Sequence, residues 1–147
     1  MDVEFGTPVE AGDVVESGQV IARIDDERAQ INVQRARADE ALEQAVVTQR
    51  EVEFENAERE LERLEELKRQ GSSGVSQLDQ AKTLLASRKA LLAQARAELL
   101  SAQGSLRLAE RELSDMLIRA PFAGRVVRKE SEVGQWVGRG DEIVTVV

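Results

Sequence analysis

Leucine recurs every seven positions through the second half of the central region. The residues at this spacing are Leu78, Leu85, Leu92, Leu99, Leu106 and Leu113, with Ala81, Arg88, Ala95, Ala102 and Ala109 between them. Alternating steps of three and four residues are typical of a coiled-coil contact face. The pattern predicts a helix over residues 76–114 with one charge in its contact face. We expect that charge, Arg88, to pair with a glutamate of a partner helix, such as Glu58 or Glu62.

A second helix is predicted before this one, over residues 27–70, because residues 19–70 contain neither glycine nor proline. Asp25, Asp26 and Glu27 precede or open it, where carboxylates suit the free N–H groups and positive end of a helix. Its apolar stripe is less regular and is expected to drift between faces. The stripe comprises Ala38, Leu42, Ala45, Val52, Phe54, Ala57, Leu61 and Leu64.

The loop between the two predicted helices, residues 71–75, begins with Gly71-Ser72-Ser73-Gly74. Such a short connection makes the helices antiparallel neighbours, so the pattern predicts a two-helix coiled-coil hairpin. Ser76 is expected to cap the second helix, since Asp79 follows three residues later as in a capping box.

An internal repeat brackets the hairpin. Residues 10–24 and 132–146 both read E-x-G-x-x-V-x-x-G-x-x-I-x-x-[IV]. Each half predicts short strands with glycine at tight turns, and each is too small to bury its apolar face alone. We therefore expect both halves, residues 1–25 and 115–147, to form one β domain that residues 26–114 interrupt. Trp136 is expected to pack inside that domain rather than to stack on a ligand.

The chain resembles a known family in the motifs that flank the hairpin. The run V-x-x-G-x-x-V-x-x-G-x-x-I-x-x-I-D, residues 9–25, and the run A-P-F-A-G-R-V, residues 120–126, resemble the two lipoyl half-motifs of the membrane fusion protein, or HlyD-like periplasmic adaptor, family. The likeness covers the whole chain. It implies an α+β fold in which a discontinuous lipoyl-like β-sandwich is interrupted by the hairpin. It also implies that the chain is a segment of a longer protein.

The resemblance implies that the protein is one component of a tripartite efflux or secretion pump of Gram-negative bacteria. The full-length protein would be anchored to the inner membrane and lie in the periplasm. Its partners would be an inner-membrane transporter, of the resistance-nodulation-division or ABC type, and a TolC-type outer-membrane channel. The adaptor would be a homo-oligomer in the assembled pump, and multidrug resistance would be one outcome.

The hairpin tip is where the resemblance places the contact with the channel. Adaptors of resistance-nodulation-division pumps carry the pattern R-x-x-x-L-x-x-x-x-x-x-S there; Arg63 and Leu67 match its first two positions, and either Gly74 or, two residues later, Ser76 takes the third. The predicted partner-binding residues are Arg63, Leu67, Ser72, Ser73, Gly74 and Ser76. The alternative for Arg63 is an ion pair with an acid of its own hairpin, such as Glu60 or Glu66.

The amino-acid composition limits the kinds of reaction and metal binding that the chain can support. Among 147 residues there is no histidine, cysteine or tyrosine, so the usual general base, thiol nucleophile and soft metal ligands are missing. We predict no enzyme activity, no catalytic residue, no metal site and no cofactor. The net charge of −8 argues against nucleic acid as a partner.

Two other functions are weighed against the adaptor. A biotinyl or lipoyl carrier domain needs a modifiable lysine at the turn between its halves, but the coiled coil occupies that place, and Lys68, Lys82, Lys89 and Lys129 lie on predicted helices or away from the turn. A homo-oligomeric coiled-coil scaffold would not need to re-enter a β domain that it had left.

Overall fold

The computed structural model describes residues 3–4, 9–71, 74–132, 134–138 and 140–147. Its elements are β1 (Val3–Glu4), β2 (Val14–Val15), β3 (Val20–Ile24), α1 (Glu27–Arg69), α2 (Val75–Asp115), β4 (Leu117–Arg119), β5 (Gly124–Lys129) and β6 (Val144–Val146). The chain divides into two compact units, residues 1–34 with 107–147, here called the β unit, and residues 35–106, the hairpin unit. The β unit therefore includes the beginning of α1 and the end of α2, which the sequence had assigned to the hairpin.

Two antiparallel three-stranded sheets lie in the described part of the β unit, in the orders β1-β3-β4 and β2-β5-β6. Each sheet combines strands from both ends of the chain. Val15 and Val126 are almost fully buried in one shared core, and Val9, Ile21 and Ala120 complete it. Neither half of the repeat could bury these residues alone, so the predicted discontinuous β-sandwich with an inserted hairpin is confirmed.

Four turns of the β unit share one hydrogen-bonding pattern. In each, the side chain of the fourth residue accepts a bond from the backbone N–H of the first, at 2.7–2.9 Å. The third residue is a glycine with φ between 78° and 105°, a conformation that other residues adopt at a cost. The turns are residues 10–13, 16–19, 132–135 and 138–141, which occupy equivalent positions in the two halves of the repeat.

The helices begin and end within one residue of their predicted limits. Every position of the predicted leucine and alanine face of α2 is buried or half-buried, so the heptad prediction for this helix is confirmed. In the hairpin unit, Leu64 of α1 packs with Leu78 and Ala81 of α2. Val47 of α1 packs with Leu92 and Ala95, as antiparallel helices require.

The predicted contact face of α1 is half wrong. Phe54, Ala57, Leu61 and Leu64 are buried or half-buried, but Ala38, Leu42, Ala45 and Val52 are exposed. The face that is covered runs without a break in steps of four and three: residues 29, 33, 36, 40, 43, 47, 50, 54, 57, 61 and 64. Glu40, Glu43 and Arg50 occupy three of these positions. Because charged residues interrupt the apolar residues of the covered face, the apolar pattern alone favoured part of the outer face of α1.

The ion pair predicted between Arg88 and a glutamate of α1 is present, but the glutamate is Glu53 and not Glu58 or Glu62. The guanidinium Nη1 of Arg88 lies 2.9 Å from Oε2 of Glu53, and Arg50 binds the same carboxylate at 3.0 Å. Hydrogen bonds from Arg50 and, to a smaller extent, Gln49 lower the pKa of Glu53, and the positive charge of Arg88 lowers it further. Glu58 and Glu62 are exposed, since they lie on the outside of α1. The prediction of a cross-hairpin ion pair was right in kind.

Candidate functional site

The hairpin tip is formed by the last turns of α1, a short loop and the first turn of α2. Gly71 has a φ of 81°, and its N–H donates to the carbonyl of Lys68 at 3.0 Å, which closes α1 with a left-handed glycine. Lys68 and Arg69 lie in the last turn, where cations suit the negative end of a helix. The α2 helix begins at Val75, so Ser76 lies in its first turn and does not take the predicted capping position.

Arg63 is exposed and paired with an acid of its own helix. Its Nε and Nη2 donate to the two carboxylate oxygens of Glu60 at 2.9 and 2.7 Å. The side chains of Arg63 and Glu60 keep 60% and 46% of their exposure. The hydrogen bond from Arg63 lowers the pKa of Glu60, and the same pair raises the pKa of Arg63. In the free chain, Arg63 therefore forms an ion pair with an acid of its own hairpin, which is the second of the two expectations. A solvent-exposed pair of this kind contributes little to folding, so a binding partner can take the place of Glu60.

Leu67 is not a free contact residue. It is half-buried against the cluster of Leu64, Leu78 and Ala81, where it supports the end of the hairpin from inside. Gly74 and Ser76 are exposed, and Ser72 and Ser73 lie outside the described residues. Arg63, Gly74 and Ser76 are therefore surface residues near the tip, whereas Leu67 is half-buried within the hairpin.

The pKa shifts of the described carboxyls bear on acid–base chemistry. A carboxyl that acts as a general acid or base near neutral pH needs a raised pKa. Where a shift is resolved among the described carboxyls, the pKa is lowered: Asp26 by hydrogen bonds from Arg23 and Gln30, and Glu53 and Glu60 by arginines. Within the described residues, no three acidic side chains are grouped closely enough to hold a metal ion.

Trp136 is the functional candidate that sequence reasoning missed. Its side chain is 72% exposed, so the prediction that it packs inside the β domain is wrong. Its neighbour Val137 takes the buried position instead, at 6% exposure, beside Ala22. The available signal was a lone tryptophan between two glycine-containing turns. This signal could not decide where the ring lies, because an amphipathic ring suits a protein core and a binding surface equally well.

Comparison with known proteins decides the family. Residues 6–147 match the family model described as "CzcB-like, barrel-sandwich hybrid domain". The chain belongs to this family. The barrel-sandwich hybrid assignment covers both halves of the β unit and the inserted hairpin, and membership of the membrane fusion, or periplasmic adaptor, proteins is confirmed.

The individual relatives share only low sequence identity with the chain. The chain is 27% identical over 136 residues to the multidrug resistance protein MdtA of Yersinia pestis, and this alignment covers 92% of the chain and 28% of MdtA. The crystal structure of MacA from Actinobacillus actinomycetemcomitans superposes with a TM-score of 0.86 at 24% identity, over 99% of this chain and 44% of MacA. A MacA–MexA chimera with the Pseudomonas aeruginosa MexA hairpin gives a TM-score of 0.61 at 22% identity, over 99% of the chain and 46% of the chimera.

The family assignment and the structural likeness bear on different questions. At these identities the solved structures establish the fold, while the family match establishes the kind of protein. The chain spans less than half the length of each of these relatives. Within residues 9–71 and 74–132, no helix combines the length and hydrophobicity of a membrane span.

Proposed function

We propose that this barrel-sandwich hybrid chain is the hairpin and lipoyl-like part of a periplasmic adaptor. In the full-length protein, anchored to the inner membrane, it would link a transporter of the resistance-nodulation-division or ABC type to a TolC-type outer-membrane channel for efflux or secretion. The observation that carries the proposal is the long hairpin with an exposed, partly cationic end. Its helices of 43 and 41 residues are each roughly 60 to 65 Å long, a length that suits a bridging protein.

The proposed role is structural and not enzymatic. Downward pKa shifts at Asp26, Glu53 and Glu60 favour ion pairing over proton transfer. The hairpin also stands where a carrier domain would present its modified lysine, so neither a biotinyl nor a lipoyl group is expected. Intact-mass measurement of the purified protein checks this, and a stoichiometric adduct on any lysine would contradict it.

Docking of the tip is expected to depend on Arg63. Replacing Arg63 with aspartate should abolish binding of the full-length adaptor to the channel and abolish export, while the melting temperature stays unchanged, because the residue is exposed and its ion pair is weak. A guanidinium offers several donors in a fixed fork, which suits the exposed carbonyls at the end of another helix. Co-purification with the channel and complementation of a drug-sensitive strain measure the two effects.

Two variants separate docking from the ion pair with Glu60. Glu60→Ala removes the pair but leaves the guanidinium free for the channel, so binding should be retained. Arg111→Asp makes the same charge change on an exposed arginine of the β unit and should also be silent. If Arg63→Asp exports normally, or if Glu60→Ala fails as Arg63→Asp does, tip docking through Arg63 is wrong.

Copies of the adaptor are proposed to pack side by side through the outer face of α1. Leu42 and Val52 are 61% and 52% exposed on that face, with Ala38 and Ala45 between or beside them. Spacings of four, three and seven residues place Ala38, Leu42, Ala45 and Val52 on one side of the helix, and exposed apolar side chains gathered on one face are a common feature of protein interfaces.

The double variant Leu42→Lys and Val52→Lys is expected to lower self-association of the full-length protein, because lysine disfavours burial in a neighbour's surface. Sedimentation velocity over a concentration series measures it. Gln44→Lys, which adds a charge at an exposed position of α1 outside this stripe, is the matched control. Unchanged association of the double variant would rule out this face as the contact.

A further inference from the structure

An open cleft lies within the β unit, between the beginning of α1, the end of α2 and the segment that carries Trp136. Its volume is about 1070 Å³, ample for a small organic molecule. Apolar side chains from three parts of the chain line it: Ile24, Ala29, Met116 and Val137. Ala29 and Val137 are themselves buried, so this lining is part of the packed β unit and is already formed without a ligand.

Trp136 lines the same cleft with its indole ring exposed. The ring lies beside Gly138: a Cβ built on that glycine would be 3.8 and 3.9 Å from Cζ3 and Cη2 of the indole. The turn is fixed because the Gly138 N–H donates to Oδ2 of Asp141 at 2.7 Å. A large aromatic surface is thus held next to a defined turn at the edge of an apolar cleft, where the face of the ring can attract a cation.

The described charges along the cleft are mainly negative. Asp25, Glu112 and Asp115 contribute carboxylates, and Arg28 contributes one guanidinium. Asp25 accepts a hydrogen bond from the N–H of Glu27 at 3.2 Å, and Asp115 is paired with Arg111 at 3.0 Å. Glu112 makes no hydrogen bond or ion pair with any described residue, so its charge is available to a ligand. Carboxylate, indole face and apolar lining together select a positive charge attached to an apolar body.

We propose that this cleft binds organic cations with an aromatic or otherwise apolar body. The apolar lining and the indole would cover the apolar body, and the carboxylate of Glu112 would act as the counter-ion of the positive charge. This site is separate from the hairpin tip. Its occupancy does not depend on the proposed docking of the channel, so either proposal can fail while the other stands.

The test uses the 147-residue chain and tetraphenylphosphonium as the ligand. Trp136 is the only tryptophan and tyrosine is absent, so the intrinsic fluorescence excited at long wavelength reports on this cleft alone. We expect a saturable change in emission. Tetraphenylborate has the same shape and the opposite charge, and it should not give saturable binding. A linear change with tetraphenylphosphonium, or equal binding of both ions, would overturn the proposal.

Two variants assign the binding to named residues. Glu112→Gln should weaken tetraphenylphosphonium binding by about two- to fivefold, the effect of one partly exposed ionic contact. Glu110→Gln makes the same change on the same helix away from the cleft lining and should leave binding unchanged. Trp136→Ala should abolish binding measured by isothermal titration calorimetry. Wild-type affinity in both Glu112→Gln and Trp136→Ala would place the ligand elsewhere.

Discussion

Replacing Leu92 with alanine is expected to destabilise the hairpin by about 2 to 4 kcal/mol. Leu92 is 6% exposed and packs against Val47 and Ala95, with Phe54 and Leu99 half-buried around it. Removing its side chain loses the burial of three carbons and leaves a cavity that neighbouring alanine is too small to fill. Urea and thermal melts followed by circular dichroism at 222 nm measure the change.

The control for this prediction lies eight residues further along the same helix, outside the contact face. Leu100 is 62% exposed, so Leu100→Ala should change the unfolding free energy by no more than about 0.5 kcal/mol. Leu99→Ala should fall between the two, because Leu99 is half-buried. Equal midpoints for Leu92→Ala and Leu100→Ala would show that the leucine face does not pack against α1.

Replacing Val126 with aspartate is expected to unfold the β unit, at a cost of at least roughly 4 kcal/mol. Val126 is 1% exposed in the core that both halves of the repeat share. Its backbone also joins those halves: its N–H donates to the carbonyl of Asp13, and its carbonyl accepts from the N–H of Gly12, both at 2.8 Å. A carboxylate at this position would be buried without a partner.

Val127 supplies the matched control, because successive residues of a strand point to opposite faces. It follows Val126 on β5 and is 51% exposed, so Val127→Asp should retain the fold. Dispersion of the amide signals of the β unit in ¹H–¹⁵N NMR spectra is the readout, since the helices dominate circular dichroism. A well-dispersed spectrum for Val126→Asp, like that of Val127→Asp, would contradict the shared core.

The candidate tip shows how far the pattern of one chain can predict a site. Arg63 and Leu67 match the family's spacing, yet the structure assigns them different surroundings: the guanidinium is exposed and paired with Glu60, and the leucine is half-buried. Spacing along a helix determines which residues share a face, but not how far a partner helix covers each of them. The part of Leu67 in docking therefore stays a prediction, and the exposed Arg63 is the sharper test.

The cleft beside Trp136 was beyond prediction from the sequence. Its apolar lining comes from Ile24, Ala29, Met116 and Val137, which are far apart in the chain. No local period connects them. Only the return of the chain to the β unit after α2 brings the second half of the repeat beside the beginning of α1, and that return leaves the indole exposed while Val137 is buried.

The sequence by itself determined the features that depend on local spacing. The contact face of α2 follows from its seven-residue period, and the four glycine turns follow from the repeat, because each is specified by residues a few positions apart. Tertiary structure decided which face of α1 is covered. That face contains Glu40, Glu43 and Arg50, and Arg50 is accommodated there because Glu53 binds both it and Arg88 of α2. Arg50 and Glu53 are neighbours on the same helix, but the bond from Arg88 to Glu53 crosses the hairpin and forms only when the two helices pack together.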